Sequence, residues 1–233
     1  MVTKKVPIKD DPVWIRFMAQ VNQQSITTLF KSIDYAVAKG RNQIHLMLSS
    51  PGGTVFHGLS AHNYLRGLGM PITTYNFGMV DSIGVILFCS GSERICVPHA
   101  RFLIHQVTSH FGAATVLDEK GIEEVLKGNR IDTANIAKVI SDCTGKQLKD
   151  VEDNMKDRTT LNPNEAKTYG LVTKIQKEMY KSGELIAIYE DGSVQNFTQI
   201  QVNSSQIPMH YSSIPLSSTY HPFQNPVEDK QLD

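Results

Sequence analysis

The sequence predicts an α/β domain whose sheet is mainly parallel. Short apolar runs of strand type alternate along the chain with stretches whose apolar residues recur every three or four positions. Strands separated by helices in this way pair in parallel through crossover connections. The run at 43–48, QIHLML, is apolar and short, as a buried strand is.

The elements follow in order. Within 12–21, Val13, Ile15 and Phe17 alternate, which predicts a strand. From 24 to 39, Ile26, Leu29, Phe30, Ile33 and Val37 form one helical stripe, and Gly40 is placed to end it. After the strand at 43–48 comes a loop, Ser49 to Gly53, because proline and paired glycines break regular structure. A helix over 55–67, a strand over 71–77, a loop GMVDS and an apolar helix over 83–90 are expected next. Short strands at 94–97 and 101–105 precede a long helix over 114–142, with a break expected near Gly128. A helix at 145–155, another at 163–168 between Pro163 and Gly170, and a closing strand at 171–175 complete a domain over 12–177. Residues 1–11 are a separate N-terminal segment, and 178–233 a C-terminal extension. That extension carries a hairpin signal at Asp191-Gly192, and 203–233 has the composition of a mobile tail.

Composition excludes several classes. Lys+Arg and Asp+Glu both number 23, so the chain lacks the electrostatic footprint of a nucleic-acid or anionic-membrane binder. No apolar run reaches the ~18 residues that span a bilayer. The stretch Met1 to Asp11 has no apolar signal core, and three cysteines do not make a disulfide framework; both fit the cytoplasm. The histidines and cysteines show neither HExxH nor CxxC spacing, so no metal site is expected, and no GxxxxGK[ST] loop is present for ATP.

Three segments hold candidate chemistry. Ser50-Pro51-Gly52-Gly53 is either a plain turn or a loop with amides free to face a ligand. In Gly78-Met79-Val80-Asp81-Ser82-Ile83-Gly84, Ser82 sits where a helix begins. It is either an N-cap or a nucleophile whose oxyanion would meet helix-terminal amides. His105 ends the run Phe102-Leu103-Ile104 and is either a structural histidine or the general base a serine nucleophile needs.

Together with TGKQLKDVEDNMKDRTTLNPNEAKTYGLV at 144–172, these segments give the chain a resemblance to the proteolytic subunit of the Clp protease, over roughly 12–175. The resemblance implies a ClpP-like fold related to the crotonase fold: a globular head of strand–helix repeats, and a helical handle between two stacked rings. It implies Ser82 as nucleophile, His105 as base, and the N–H groups of Gly53 and Ile83 as oxyanion hole. It implies no cofactor. The substrate would be a peptide or unfolded protein, the assembly a homo-oligomer of stacked heptameric rings, and a separate ATPase unfoldase a partner.

The match fails at its third catalytic member. Alignment through Glu165-Ala166 and Tyr169-Gly170 puts Arg158 where the family has an aspartate, with Asp157 one residue earlier. Either Asp157 orients His105, or a dyad works alone, or the subunit is an inactive ring component. Val107 follows His105-Gln106 where the family has proline, and Asp81 replaces a small residue before Ser82. A crotonase-like acyl-CoA enzyme and a scaffold role for residues 178–233 are the competing classes. The apolar set from Val116 to Ile140 reads as core in preference to an interface.

Overall fold

The computed structural model describes residues 12–109, 111–180 and 182–201. The readings of 1–11 and 203–233 lie outside the described residues. At the centre of the sheet β1 (Val13–Met18), β2 (Ile44–Ser50) and β3 (Ile72–Asp81) run parallel, joined by α1 (Gln23–Ala38) and α2 (Val55–Gly67). Asn22 starts α1 with a capping box: its Oδ1 accepts from Ser25 N at 2.9 Å, and Ser25 Oγ accepts from Asn22 N at 3.1 Å. Ile26, Leu29, Ile33 and Ala36 are its buried stripe. Val37, 40% exposed, falls outside it.

The segment expected as a loop after residue 77 is instead strand as far as Asp81. One edge of β3 meets β2. On the other edge β4 (Glu93–Cys96) takes Thr73–Asn76, and β5 (Arg101–Leu103) takes Met79–Asp81. Ladder hydrogen bonds from both sides override the poor strand propensity of Gly78 and Asp81. The following helix, α3 (Gly84–Phe88), is buried at all five positions. His62 of α2 holds it from behind, with Nδ1 3.0 Å from Ile86 O and 3.1 Å from Ser90 Oγ.

The long helix, α4 (Glu119–Thr144), starts later than expected because Asp118 caps it, accepting from Gly121 N at 2.8 Å. It runs unbroken through Gly128: one glycine lowers helix stability by only about 1 kcal/mol. Only Ile136, Ala137 and Ile140 are buried, while Ile122, Leu126 and Ile131 are about half exposed. The core reading therefore holds for its C-terminal third alone.

Then come α5 (Leu148–Lys156), β6 (Thr160–Leu161), α6 (Pro163–Tyr169) and β7 (Lys174–Ile175), the last shorter than the strand expected over 171–175. Asn162 and Glu165 form the capping box of α6, with Pro163 in its first turn. Arg94 binds these ends together. Its guanidinium donates to Leu171 O at 2.9 Å, Gly91 O at 3.1 Å, Cys143 O at 3.0 Å and Gly170 O at 3.2 Å.

The sheet continues past residue 177. β8 (Ser182–Ile188) pairs with β1 in parallel, and β9 (Val194–Gln201) returns antiparallel to it. Gly192, at φ +75°, makes the turn between them, and the largely buried ion pair Arg41–Glu184, 2.9 Å, ties β8 to the loop before β2. Among the described residues the strand order is β6-β5-β3-β2-β1-β8-β9, with β4 and β7 beside the first half of β3.

Candidate active site

The C-terminal ends of β2, β3 and β5 converge, which is where open parallel sheets carry their ligands. After β2 the chain turns through Gly52, φ +90°, and Gly53, φ +146°. A Cβ on Gly52 would stand 2.7 Å from Ser82 Cβ and 2.8 Å from Asp81 O, so this loop lies directly against the Ser82 turn. Gly53 bridges Val21: Val21 N donates to Gly52 O at 2.7 Å, and Thr54 N donates to Val21 O at 2.8 Å. The bridge uses the groups on either side of Gly53 and leaves its own N–H out of the pairing.

Ser82 has φ +56°, a left-handed conformation that costs a residue with a side chain about 1–3 kcal/mol. Three things hold it there. Its N–H donates to Leu103 O at 2.7 Å, its carbonyl accepts from Val85 N at 3.0 Å, and Ile83 beside it is 1% exposed. The sharp strand–turn–helix step is of the kind that presents a serine nucleophile at the end of a sheet in hydrolases. Ser82 is not a side-chain cap: the N-cap position of α3 is Ile83, with no side-chain hydrogen bond, and among the described residues the Ser82 hydroxyl has no hydrogen-bond partner.

His105 lies two residues beyond Leu103, the acceptor of the Ser82 N–H. The last turn of α5 and the segment after it straddle His105: Ile104 N donates to Thr159 O at 3.0 Å, and Gln106 N donates to Met155 O at 3.2 Å. His105 Nδ1 lies 2.6 Å from Gln106 O. A carbonyl can only accept, so Nδ1 carries the proton and Nε2 holds the free lone pair in the neutral ring. The structure thus sets Ser82 and Ile83 against the Gly52-Gly53 loop, and places His105 two residues beyond the strand residue that binds the Ser82 N–H.

Asp157 and Arg158 sit on the straddling segment, both exposed. Asp157 N donates to Asp153 O at 2.9 Å, and among the described residues its carboxylate makes no hydrogen bond. Arg158 has φ +53°. Asp81, where the family resemblance expects a small residue, is buried, 5% exposed. Its Oδ2 receives Arg101 Nη2 at 2.7 Å, while Oδ1 is buried with no partner. Burial raises the Asp81 carboxyl above its usual range, and the charges of Arg101 and His105 pull it part of the way back. Its place next to Ser82 at a strand end was the only signal in the sequence. Among the described residues no cluster of metal-ligating side chains exists, and no helix is long and apolar enough to cross a membrane.

Comparison with known families decides what this arrangement belongs to. Residues 11–179 match the Clp protease family. The chain belongs to the Clp protease family. It is 30% identical over 138 residues to the ATP-dependent Clp protease proteolytic subunit 2 of Chlamydia pneumoniae, covering 58% of this chain and 66% of that one. It is 27% identical over 210 residues to the ATP-dependent Clp protease proteolytic subunit of Marchantia polymorpha, covering 82% and 95%. A ClpP1 variant from Listeria monocytogenes superimposes with TM-score 0.64 at 22% identity, over 71% of this chain and 91% of that one. The structural likeness shows that this Clp-type chain shares the fold; peptidase chemistry belongs to the family as a whole.

Proposed function

We propose that the chain is a serine endopeptidase that cleaves peptides or unfolded proteins through an acyl-enzyme. The observation that carries this reading is Ser82. It is held at φ +56° against Gly52, its hydroxyl is uncommitted, and its N–H is tied to Leu103, the last residue of β5 and two before His105. His105 Nε2 takes the hydroxyl proton, and Ser82 Oγ attacks the scissile carbonyl. The N–H groups of Gly53 and Ile83 hold the oxyanion. His105 then protonates the leaving amine, and water, activated by the same ring, releases the acyl group. An extended peptide would lie along the segments after Gly53 and His105.

Assembly belongs to the same proposal. Ile122 and Leu126, one turn apart, leave apolar surface exposed on one face of α4, and Ile131 does so on the opposite face. That exposed apolar surface supports stacking of rings through the handle, with the serines enclosed and an ATPase unfoldase feeding them, as the family resemblance implies. The cytoplasm is the proposed compartment, in keeping with three free cysteines.

One observation favours a second reading, an inactive ring subunit: Arg158 stands at the family's acid position. A fluorophosphonate probe separates the two. The peptidase labels at one serine, Ser82→Ala abolishes the label, and a fluorogenic peptide is hydrolysed only by the parent. An assembled ring that neither labels nor hydrolyses peptide is the inactive subunit.

A further inference from the structure

The family's acid position is filled by Arg158, and Asp157 is exposed, yet a buried carboxylate lies elsewhere in the site. We propose that Asp81 supplies the negative charge that steadies His105 as it takes up the Ser82 proton. Asp81 is thus a positioning residue that acts through His105 and not on the substrate. The inference rests on the reading of Ser82 and His105 as nucleophile and base.

The register places the two side chains on one face. In the parallel pair, Val80 stands opposite Phe102 and Asp81 opposite Leu103. Side chains alternate along a strand, and directly paired residues point the same way. Val80, Phe102 and Ile104 are buried at 1% exposure or less, so they mark the core face. Arg101 and Leu103 occupy the other face with Asp81, and the alternation of burial continues past the strand end, from buried Ile104 to half-buried His105. The contact between Arg101 and Asp81 confirms the side.

The two oxygens of Asp81 differ. Oδ2 is held by Arg101 at 2.7 Å, and Oδ1 is buried without a partner. A buried carboxylate oxygen left unpaired is unfavourable unless some other charge faces it. His105 is such a charge when protonated: its field lowers the Asp81 carboxyl's proton affinity, as that of Arg101 does. His105 Nδ1 already donates to Gln106 O, so Asp81 works through space, stabilising the imidazolium without orienting the ring. The segment bonded to residues 104 and 106, between Met155 and Thr159, carries the charges of Lys156, Asp157 and Arg158, and β5 carries Arg101. Arg130, Glu152 and Asp153 line the cavity beside Gln106 and Val107.

The test uses the full chain and the isosteric variant Asp81→Asn, with Arg101→Gln and Asp157→Asn beside it. The His105 titration is followed by NMR, assigned with His105→Gln, and the rate of Ser82 labelling by a fluorophosphonate is measured against pH. Loss of the anion makes the imidazolium harder to form. In Asp81→Asn the acidic limb of the labelling rate and the His105 NMR titration move to lower pH, and the plateau rate falls about tenfold or more. Arg101→Gln removes a competing cation and moves both to higher pH. Asp157→Asn leaves both in place. A shift in Asp157→Asn with none in Asp81→Asn overturns the proposal, as does a slower Asp81→Asn enzyme whose His105 titration is unmoved. Should the parent fail to label at any pH, the peptidase reading falls; the NMR titration still decides whether Asp81 and His105 are coupled.

Discussion

Gly53→Ala tests the oxyanion loop. A Cβ on Gly53 would stand 2.2 Å from Val21 O and 2.9 Å from Val21 C, where real Cβ atoms stay beyond 3.0 Å. Both neighbours are backbone, so no side chain can swing away. The loop and the β1–α1 connection must part by about 0.8 Å at least, the difference between 3.0 and 2.2 Å. An oxyanion donor works at about 2.7–3.1 Å, so the same displacement carries the Gly53 N–H to roughly 3.5–3.9 Å, outside hydrogen-bond range. Loss of one such donor lowers kcat by about 10²–10³, equivalent to roughly 2.7–4 kcal/mol. The left-handed backbone adds about 1–2 kcal/mol of strain for alanine, which lowers Tm by a few degrees in a chain of this size. The assay is steady-state hydrolysis of a fluorogenic peptide together with the fluorophosphonate labelling rate, on protein shown by thermal melt and sedimentation to be folded and assembled. The expected result is a collapse of kcat with KM little changed. A folded Gly53→Ala protein with the parent's kcat would refute the assignment of this amide.

Three further predictions follow from the same geometry. Arg94→Met leaves four carbonyls without their donor and should destabilise the fold by about 2 kcal/mol or more, seen in the denaturant midpoint; an unchanged midpoint would contradict the clamp. Burial lowers the His62 pKa below 6.5, so the folded chain binds this proton less well than the unfolded chain. Its contribution is present above pH 6.5 and is lost as pH falls toward the folded value, and His62→Gln should flatten the fall of Tm below that pH. For Asp81 the folded pKa is raised above 3.8, so stability falls as pH rises through that titration. Asp81→Asn should melt no lower than the parent at neutral pH while being the slower enzyme; a clearly lower Tm would mean that the Arg101 ion pair outweighs desolvation.

Periodicity made the frame legible. The stripe of α1, Pro163 and Gly170 at the ends of α6, and the alternation of Val13, Ile15 and Phe17 are local signals that tertiary contacts reinforce. The failures lie where partners decide. Residues 78–81 contain glycine and aspartate and read as a loop, yet β2 and β5 pair with them on both sides. The start of α4 was misread because residues 114–118 continue its apolar pattern, and only the Asp118 cap ends it. The C-terminal segment read as an extension after 177 because its composition changes there. The partner of β8 is β1, more than 160 residues earlier in sequence, and no local pattern announces such a pairing. In the site, Ser82, His105, Gly53 and Ile83 stood out because short motifs carry them. The burial of Asp81 could not be read, because it depends on the register of β3 against β5.

These departures from local rules gather at one place. Ser82 adopts a backbone that disfavours serine, Gly52 and Gly53 admit no side chain, and Asp81 buries a charge with one oxygen unpaired. Each feature is unfavourable for folding, and elements with no part in the chemistry offset them: α3 buried at every position, His62 behind it, and Arg94 clamping the helix ends. Strain that persists only because its surroundings over-determine it is what a preorganised reaction centre requires. A chain kept only as a structural ring component has no physical need for such strain. Replacing Ser82 by glycine would relieve the backbone strain. That a serine is kept there with its hydroxyl uncommitted is what the proposed catalytic role accounts for.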